Sequence, residues 1–294
     1  MTNDVQSLIY NLFNNDIVKA KQYAKIILQK NTTKKDQPFC KQQLQKLENT
    51  PVIMQLPSNI SSFAVQEDVS LTFNENRYYL STREKDLFKQ IKKRNIVADK
   101  LQEKGIKCVN STLLYGESGT GKTTFGKFLA YKLGVPFLYL RFSYLIDSHL
   151  GQTNKNLALV FKYACQQKCV FMLDEIDCIG LNRGQNNDVG ELSRITISLM
   201  QELDALSNQT ILLGATNRIQ DIDTALRRRF HDEKEIKRLN KEESIELAKQ
   251  FVASCGDYNF TEKQFSKICE TGKQSKIVDA IIDCIAEIEL NVLT

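Results

Sequence analysis

Apolar positions along the chain follow two different periods. Near the N-terminus they recur every three or four residues: Val5, Leu8, Ile9, Leu12 and Phe13, then Ile17, Ala20, Tyr23, Ala24 and Ile27, with Cys40, Leu44 and Leu47 a weaker third set. This spacing lines one face of a helix and predicts two or three short helices within residues 1–50. The polar run 31–38 ends in Pro38 and reads as a loop. Residues 49–62 hold Pro51, Pro57, Ser58, Asn59, Ser61 and Ser62 and read as a linker. Val69, Leu71 and Phe73 alternate with polar residues and predict a short strand, with Tyr78, Tyr79 and Leu80 as a second. A charged helical pattern follows over 84–104, with Leu87, Ile91, Ile96, Val97 and Leu101 as its apolar members.

From residue 113 onward the pattern changes to short continuous apolar runs separated by helical periods. Leu113-Leu114, Val135–Leu140, Cys169–Leu173 and Gln209–Thr216 read as strands; 125–133, 156–163 and 191–203 read as helices. Strands that are apolar on both faces and alternate with helices predict a three-layer α/β domain with a mainly parallel sheet. Three further helical patterns, 241–253, 262–270 and 275–290, close the chain. The expected division is 1–50 for a small helical module, 51–77 for a linker and lead-in, 78–237 for the α/β domain and 238–294 for a helical domain.

Composition changes this picture little. With 294 residues the chain can hold one large domain plus small additions, and its formal charge of +5 is slight for that length. No apolar run approaches bilayer-spanning length, and the N-terminus lacks a signal peptide's apolar stretch, so a cytoplasmic location is expected. The 8 cysteines are scattered, several inside apolar runs, and read as buried reduced thiols. The two histidines, His149 and His231, are isolated, which excludes an H-E-x-x-H zinc site. Residues 1–50 carry 8 lysines against 4 acids. That is either a solvated face of a small bundle or a docking module for a partner.

The chemistry is concentrated after the first apolar run. Gly116-Glu117-Ser118-Gly119-Thr120-Gly121-Lys122-Thr123 fits G-x-x-x-x-G-K-[ST] at every fixed position, and Thr124 follows at the start of a helix. Glycines let the backbone curl until successive N–H groups face one anion-sized hollow, and the helix N-terminus adds its positive dipole end. In such a loop Lys122 reaches the β- and γ-phosphates and the Thr123 hydroxyl serves Mg²⁺. The run Cys169–Leu173 ends in Asp174 and Glu175, placing two carboxylates at a strand's C-terminal end, where ligands gather. Asp174 is placed to hold Mg²⁺ and Glu175 to polarise an attacking water. Asn217, ending a later strand, can hydrogen-bond that water or the γ-phosphate. Three adjacent arginines, Arg227 to Arg229, follow it.

Together these residues resemble an AAA+ ATPase of the AAA subgroup, close to its katanin- and spastin-like members. Gly116–Thr123 matches Walker A, Met172-Leu173-Asp174-Glu175 Walker B, and Gly214-Ala215-Thr216-Asn217 sensor 1; 221–230 resembles the second region of homology. The resemblance covers about residues 78–290. It implies a helical lid at the C-terminus, Mg²⁺-dependent ATP hydrolysis, and a ring, usually a hexamer, in which Arg228 and Arg229 reach the nucleotide of a neighbouring subunit. It also aligns 143–153 with the first pore loop, where threading members carry an aromatic residue and this chain carries His149 before Leu150. The second pore-loop region corresponds to 181–190. Arg194 aligns with an interface position, and Lys276 lies near the start of the last lid helix, where many AAA+ proteins carry a basic residue.

For the downstream task three readings stand. A protein remodeller, acting alone or with a separate protease, is supported by the pore-loop match. A nucleic-acid-linked ATPase or loader rests on the basic N-terminal segment alone. In a nucleotide-switched scaffold, binding without turnover would suffice.

Overall fold

The computed structural model describes residues 2–13, 17–30, 36–49, 56–57, 59–147, 152–179 and 189–293. They form two compact units, 1–58 and 59–294.

In the first unit the periodic runs become α1 (Asn3–Phe13), α2 (Ile17–Lys30) and α3 (Gln37–Asn49). Ala20 and Cys40 are buried, and Lys30 pairs with Asp4 at 2.6 Å.

In the second unit the sheet has six strands in the order β1-β3-β4-β5-β2-β6. These are β1 (Ala64–Glu67), β2 (Asn110–Tyr115), β3 (Phe137–Arg141), β4 (Cys169–Asp174), β5 (Thr210–Thr216) and β6 (Asp232–Glu235). All pair in parallel except β1, which runs antiparallel to β3. Leu113, Leu114, Val170, Phe171, Met172 and Leu173 are 0% exposed, as expected for strands covered on both faces. On one face α5 (Thr82–Glu103) and α6 (Lys122–Leu133) pack through Leu87, Ile91, Phe125, Phe128 and Leu129. The remaining helices of the α/β part are α7 (Phe142–Asp147), α8 (Thr153–Ala164), α9 (Val189–Ala205) and the short α10 (Thr224–Arg227). The helices α11 (Lys241–Cys255), α12 (Glu262–Ile268) and α13 (Gln274–Leu293) enclose a separate small core of Leu247, Phe251, Ile268, Ile277 and Ile281.

Two strand expectations fail. Val69–Thr72 is a helical turn, α4, and residues 78–80 form no strand but follow a 3-10 turn at Glu75–Arg77. The cause is local. The Asp68 carboxylate accepts from Ser70 N and Ser70 Oγ, and Asn74 Oδ1 accepts from Asn76 N, so each side chain caps a turn before a ladder can form. The strand that does form here, β1, lies a few residues earlier, inside the stretch expected to be lead-in. By contrast, α5 opens with a capping box: Glu84 N donates to Ser81 Oγ, and Ser81 N donates to Glu84 Oε2.

All eight cysteines are free. Among the described residues no helix is long and apolar enough to cross a membrane.

Candidate nucleotide site

The turn after β2 runs through three glycines in conformations that other residues avoid: Gly116 (φ 144°), Gly119 (φ 81°) and Gly121 (φ 107°). The need is also steric. A Cβ on Gly116 would lie 2.3 Å from the Ile236 carbonyl oxygen, which is itself held by the Ile236 N–H donating to Tyr115 O at 2.8 Å. Gly116→Ala is therefore expected to cost more than about 2 kcal/mol of folding stability. Chemical denaturation checks this, and an unchanged midpoint would show that the loop relaxes freely.

Lys122, the first residue of α6, is 7% exposed. Its ammonium donates to Gly116 O (2.8 Å), Glu117 O (2.9 Å) and Asn217 Oδ1 (2.8 Å). The loop lysine and the residue closing β5 therefore meet across 95 positions of sequence. Burial pushes the lysine's pKa below its ordinary value, while the charges of Asp174, Asp177 and Glu117 oppose that shift. The ammonium satisfies itself on neutral oxygens of the loop, and phosphate oxygens are stronger acceptors for the same donors.

Asp174 ends β4 at the sheet's C-terminal edge. Its Oδ2 accepts from Thr123 Oγ1 (3.1 Å) and Tyr139 OH (2.8 Å), and its Oδ1 accepts from Glu175 N (2.9 Å). Burial, reinforced by the charge of Asp174, pushes the Tyr139 phenol up to about 12, so it stays a donor. Thr123 and Asp174 present hard oxygens, the ligand type Mg²⁺ takes together with phosphate oxygens and water. Such a site needs no dense protein cluster, and among the described residues no group of three or more His, Cys, Asp or Glu is placed to hold a metal.

Glu175 has φ 56°, the only positive φ among the described non-glycine residues. Left-handed geometry at such a residue stores strain and marks functional positions. Its Oε2 accepts from Ser143 Oγ at 2.7 Å. Two residues on, Asp177 Oδ1 accepts from Thr216 Oγ1 at 2.9 Å, tying the turn after β4 to the end of β5, next to Asn217.

The C-terminal helical part closes over this loop. Ser275 N donates to Gly119 O at 3.2 Å, and a Cβ on Gly121 would meet Gln274 Nε2 at 3.2 Å. Glu117, its side chain about half exposed, pairs with Arg238 and with Lys273 at 3.1 Å. Hydrogen bonds from Arg238 and then Lys273 hold its carboxyl down at about 2. Lys276, by contrast, pairs with Asp279 at 3.5 Å on an exposed surface.

Arg228 and Arg229 lie elsewhere. Both are exposed. Arg229 Nη1 donates to Ala225 O at 2.9 Å, and Nη2 lies 3.6 Å from Asp204 Oδ2. Their backbone is pinned at the start of β2: His231 N donates to Ser111 O at 3.1 Å, and Ser111 Oγ to Arg229 O at 3.4 Å. The phosphate loop leaves from the other end of that strand, about 16 Å away at 3.3 Å per residue.

The structure thus brings together Gly116–Thr123, Asp174, Glu175 and Asn217, and leaves Arg228 and Arg229 apart. His149 and Leu150 lie outside the described residues, as does most of 181–190. Sequence reasoning missed Tyr139, Ser143 and Glu117 as partners. Tyr139 read there as an ordinary strand residue, Ser143 as the start of the pore-loop match, and Glu117 as one of the nucleotide-binding loop residues, each without the partners seen here.

Residues 112–238 match the family model described as "ATPase family associated with various cellular activities (AAA)". An uncharacterised AAA family ATPase of Sinorhizobium fredii is 33% identical over 135 residues, 46% of this chain and 41% of that protein. The 26S proteasome subunit RPT4 of Saccharomyces cerevisiae is 33% identical over 170 residues, 54% of this chain and 39% of that protein. The chain thus spans about two fifths of the length of these relatives. Among solved structures, the crystal structure of the FIGL-1 AAA domain superposes with a TM-score of 0.60 at 21% identity, covering 83% of this chain and 84% of that one, a likeness of fold. With Lys122 bonded to the glycine loop and to Asn217, and with Asp174 bonded to Thr123 beside it, residues 112–238 form a domain that matches the AAA ATPase family.

Proposed function

We propose that the protein hydrolyses ATP with Mg²⁺ in a ring of identical subunits and uses the energy to remodel a protein partner. The observation that carries the reading is the meeting of Lys122, Asp174, Glu175 and Asn217 at one sheet edge, with Arg228 and Arg229 stationed at the far end.

Lys122 exchanges its carbonyl acceptors for the β- and γ-phosphate oxygens, and the loop N–H groups hold the β-phosphate. Thr123 and Asp174 would hold Mg²⁺, which when bound neutralises charge on the phosphates. Glu175 takes a proton from the water that attacks the γ-phosphorus, and Asn217 orients that water. The bond from the γ-phosphorus to the bridging oxygen breaks, and ADP and phosphate leave. The stabilising arginine cannot come from the same subunit, because 16 Å of strand separates Arg229 from its own loop. A second copy supplies it, so the site is complete only in an assembly. ATP is favoured over GTP by the resemblance, and the sequence holds no N-K-x-D base-reading motif.

Glu117, Arg238, Lys273 and Ser275 join the lid to the phosphate loop, so a change at the γ-phosphate can move the lid as a body. A proteasome subunit among the relatives supports a polypeptide as the material worked on. Loading or remodelling of nucleic acid remains the second reading, resting on the lysines of residues 1–50. Turnover per subunit should rise with protein concentration and vanish in EDTA. A rate per subunit that is flat across the range would overturn the ring.

A further inference from the structure

The register of β3 on β4 places Tyr139 opposite Met172 and Arg141 opposite Asp174. Side chains two apart share a sheet face, so Tyr139, Arg141, Met172 and Asp174 all point to one side. It is the side α6 covers, since a Cβ on Gly126 would touch both Met172 Sδ and Phe137 at 2.9 Å. The Tyr139 ring packs against the apolar cluster beneath α6. Its hydroxyl reaches the polar edge and donates to Asp174 Oδ2 at 2.8 Å. The Arg141 guanidinium lies over the same ring, 5.8 Å from its centre, with Nε 3.4 Å from the hydroxyl oxygen. A phenylalanine would fill the apolar seat equally well, so packing does not explain the hydroxyl.

The oxygen it meets is shared. Thr123 Oγ1 donates its single proton to the same Oδ2, which leaves the threonine lone pairs turned away from Asp174. Glu175 N holds the other carboxylate oxygen. Asp174 is thus fixed by donors from β3, α6 and its own following residue.

We propose that Tyr139 is a positioning residue for the Mg²⁺ site: its hydroxyl locks the Asp174 carboxylate in the rotamer that directs the Thr123 lone pairs and the remaining carboxylate lone pairs at the cation. This rests on the nucleotide–metal reading above. Partners of this kind, which orient ligands without touching the metal, change metal affinity by about 10–100-fold when removed.

The test uses the full chain, a fluorescent N-methylanthraniloyl ATP, and titrations in EDTA and in rising Mg²⁺. Tyr139→Phe is expected to bind the probe in EDTA within about twofold of the parent, yet to need about tenfold more Mg²⁺ for half-maximal tightening. Tyr163→Phe is the control. It also loses a tyrosyl hydrogen bond, 2.7 Å to Gln66 Oε1, at a place β1 and α8 share, and should leave the Mg²⁺ requirement unchanged. An unshifted Mg²⁺ midpoint in Tyr139→Phe overturns the proposal. So does an equal shift in both variants, or a loss of probe affinity in EDTA as large as the loss in Mg²⁺, since either is what general loosening of the fold produces. If Mg²⁺ has no effect on the parent chain, the metal reading itself fails and takes this inference with it.

Discussion

Arg229→Ala and Arg228→Ala are each expected to lower ATP turnover about 10³-fold or more while leaving nucleotide binding and thermal stability close to the parent's. The size follows from what an arginine supplied from outside a phosphoryl-transfer site contributes, about 10³–10⁵-fold. The stability expectation follows from exposure. The Arg229–Asp204 contact is 3.6 Å long, with the aspartate side chain 60% exposed, and pairs of that kind contribute little. The geometry predicts more than a loss. If the arginines act on a neighbour, a subunit lacking Arg229 still has a working phosphate loop, and a Lys122→Ala subunit still has working arginines. Mixing these two inactive variants should restore turnover, at most in about a quarter of the sites for random closed rings. A mixture as inactive as its components, with rings shown to have exchanged subunits, would mean the arginines serve their own subunit or none.

That division between a chemical end and an arginine end was legible in the sequence only in part. The glycine loop, the run Cys169–Leu173 and its terminal carboxylates announce themselves because each is a local pattern with one physical meaning. β6 does not. Its four residues, Asp-Glu-Lys-Glu, are all charged and carry no strand period. It exists because Asp232–Glu235 pairs with Thr112–Tyr115, and because Arg94 and Gln90 from α5 both reach the Asp232 carboxylate. Val69, Leu71 and Phe73 show the opposite failure. They fit a strand period well, but the Asp68 cap decides the backbone. Within the site, Tyr139 was hidden because an aromatic residue in a strand needs no explanation until its hydroxyl is seen on Asp174. The Glu117–Arg238–Lys273 link was hidden because Arg238 lies 121 positions from Glu117 and Lys273 farther still.

Glu175→Gln should separate binding from hydrolysis. The amide keeps the shape of the carboxylate, still offers an oxygen to Ser143 Oγ, and tolerates the left-handed backbone no worse than glutamate does. Nucleotide affinity and assembly should therefore persist. What the amide cannot do is accept a proton from water, a role worth about 10²–10⁴-fold in rate. Turnover should fall by that factor, and the protein should accumulate with ATP bound, as separation of bound ATP from ADP would show. Turnover close to the parent's would remove Glu175 as the base. A state arrested with ATP is also the one that holds whatever the assembly acts on. Captured from its own cells with nuclease added, the variant should retain a polypeptide. If that polypeptide is lost when His149 is also replaced by alanine, the segment 143–153 is its grip. Nucleic acid that is retained without nuclease and released by salt would instead make the N-terminal lysines the point of contact, because ionic contacts to phosphates weaken steeply as salt rises. A variant that binds ATP, assembles and still supports the cellular role would leave the nucleotide as a switch for assembly, with hydrolysis only resetting it.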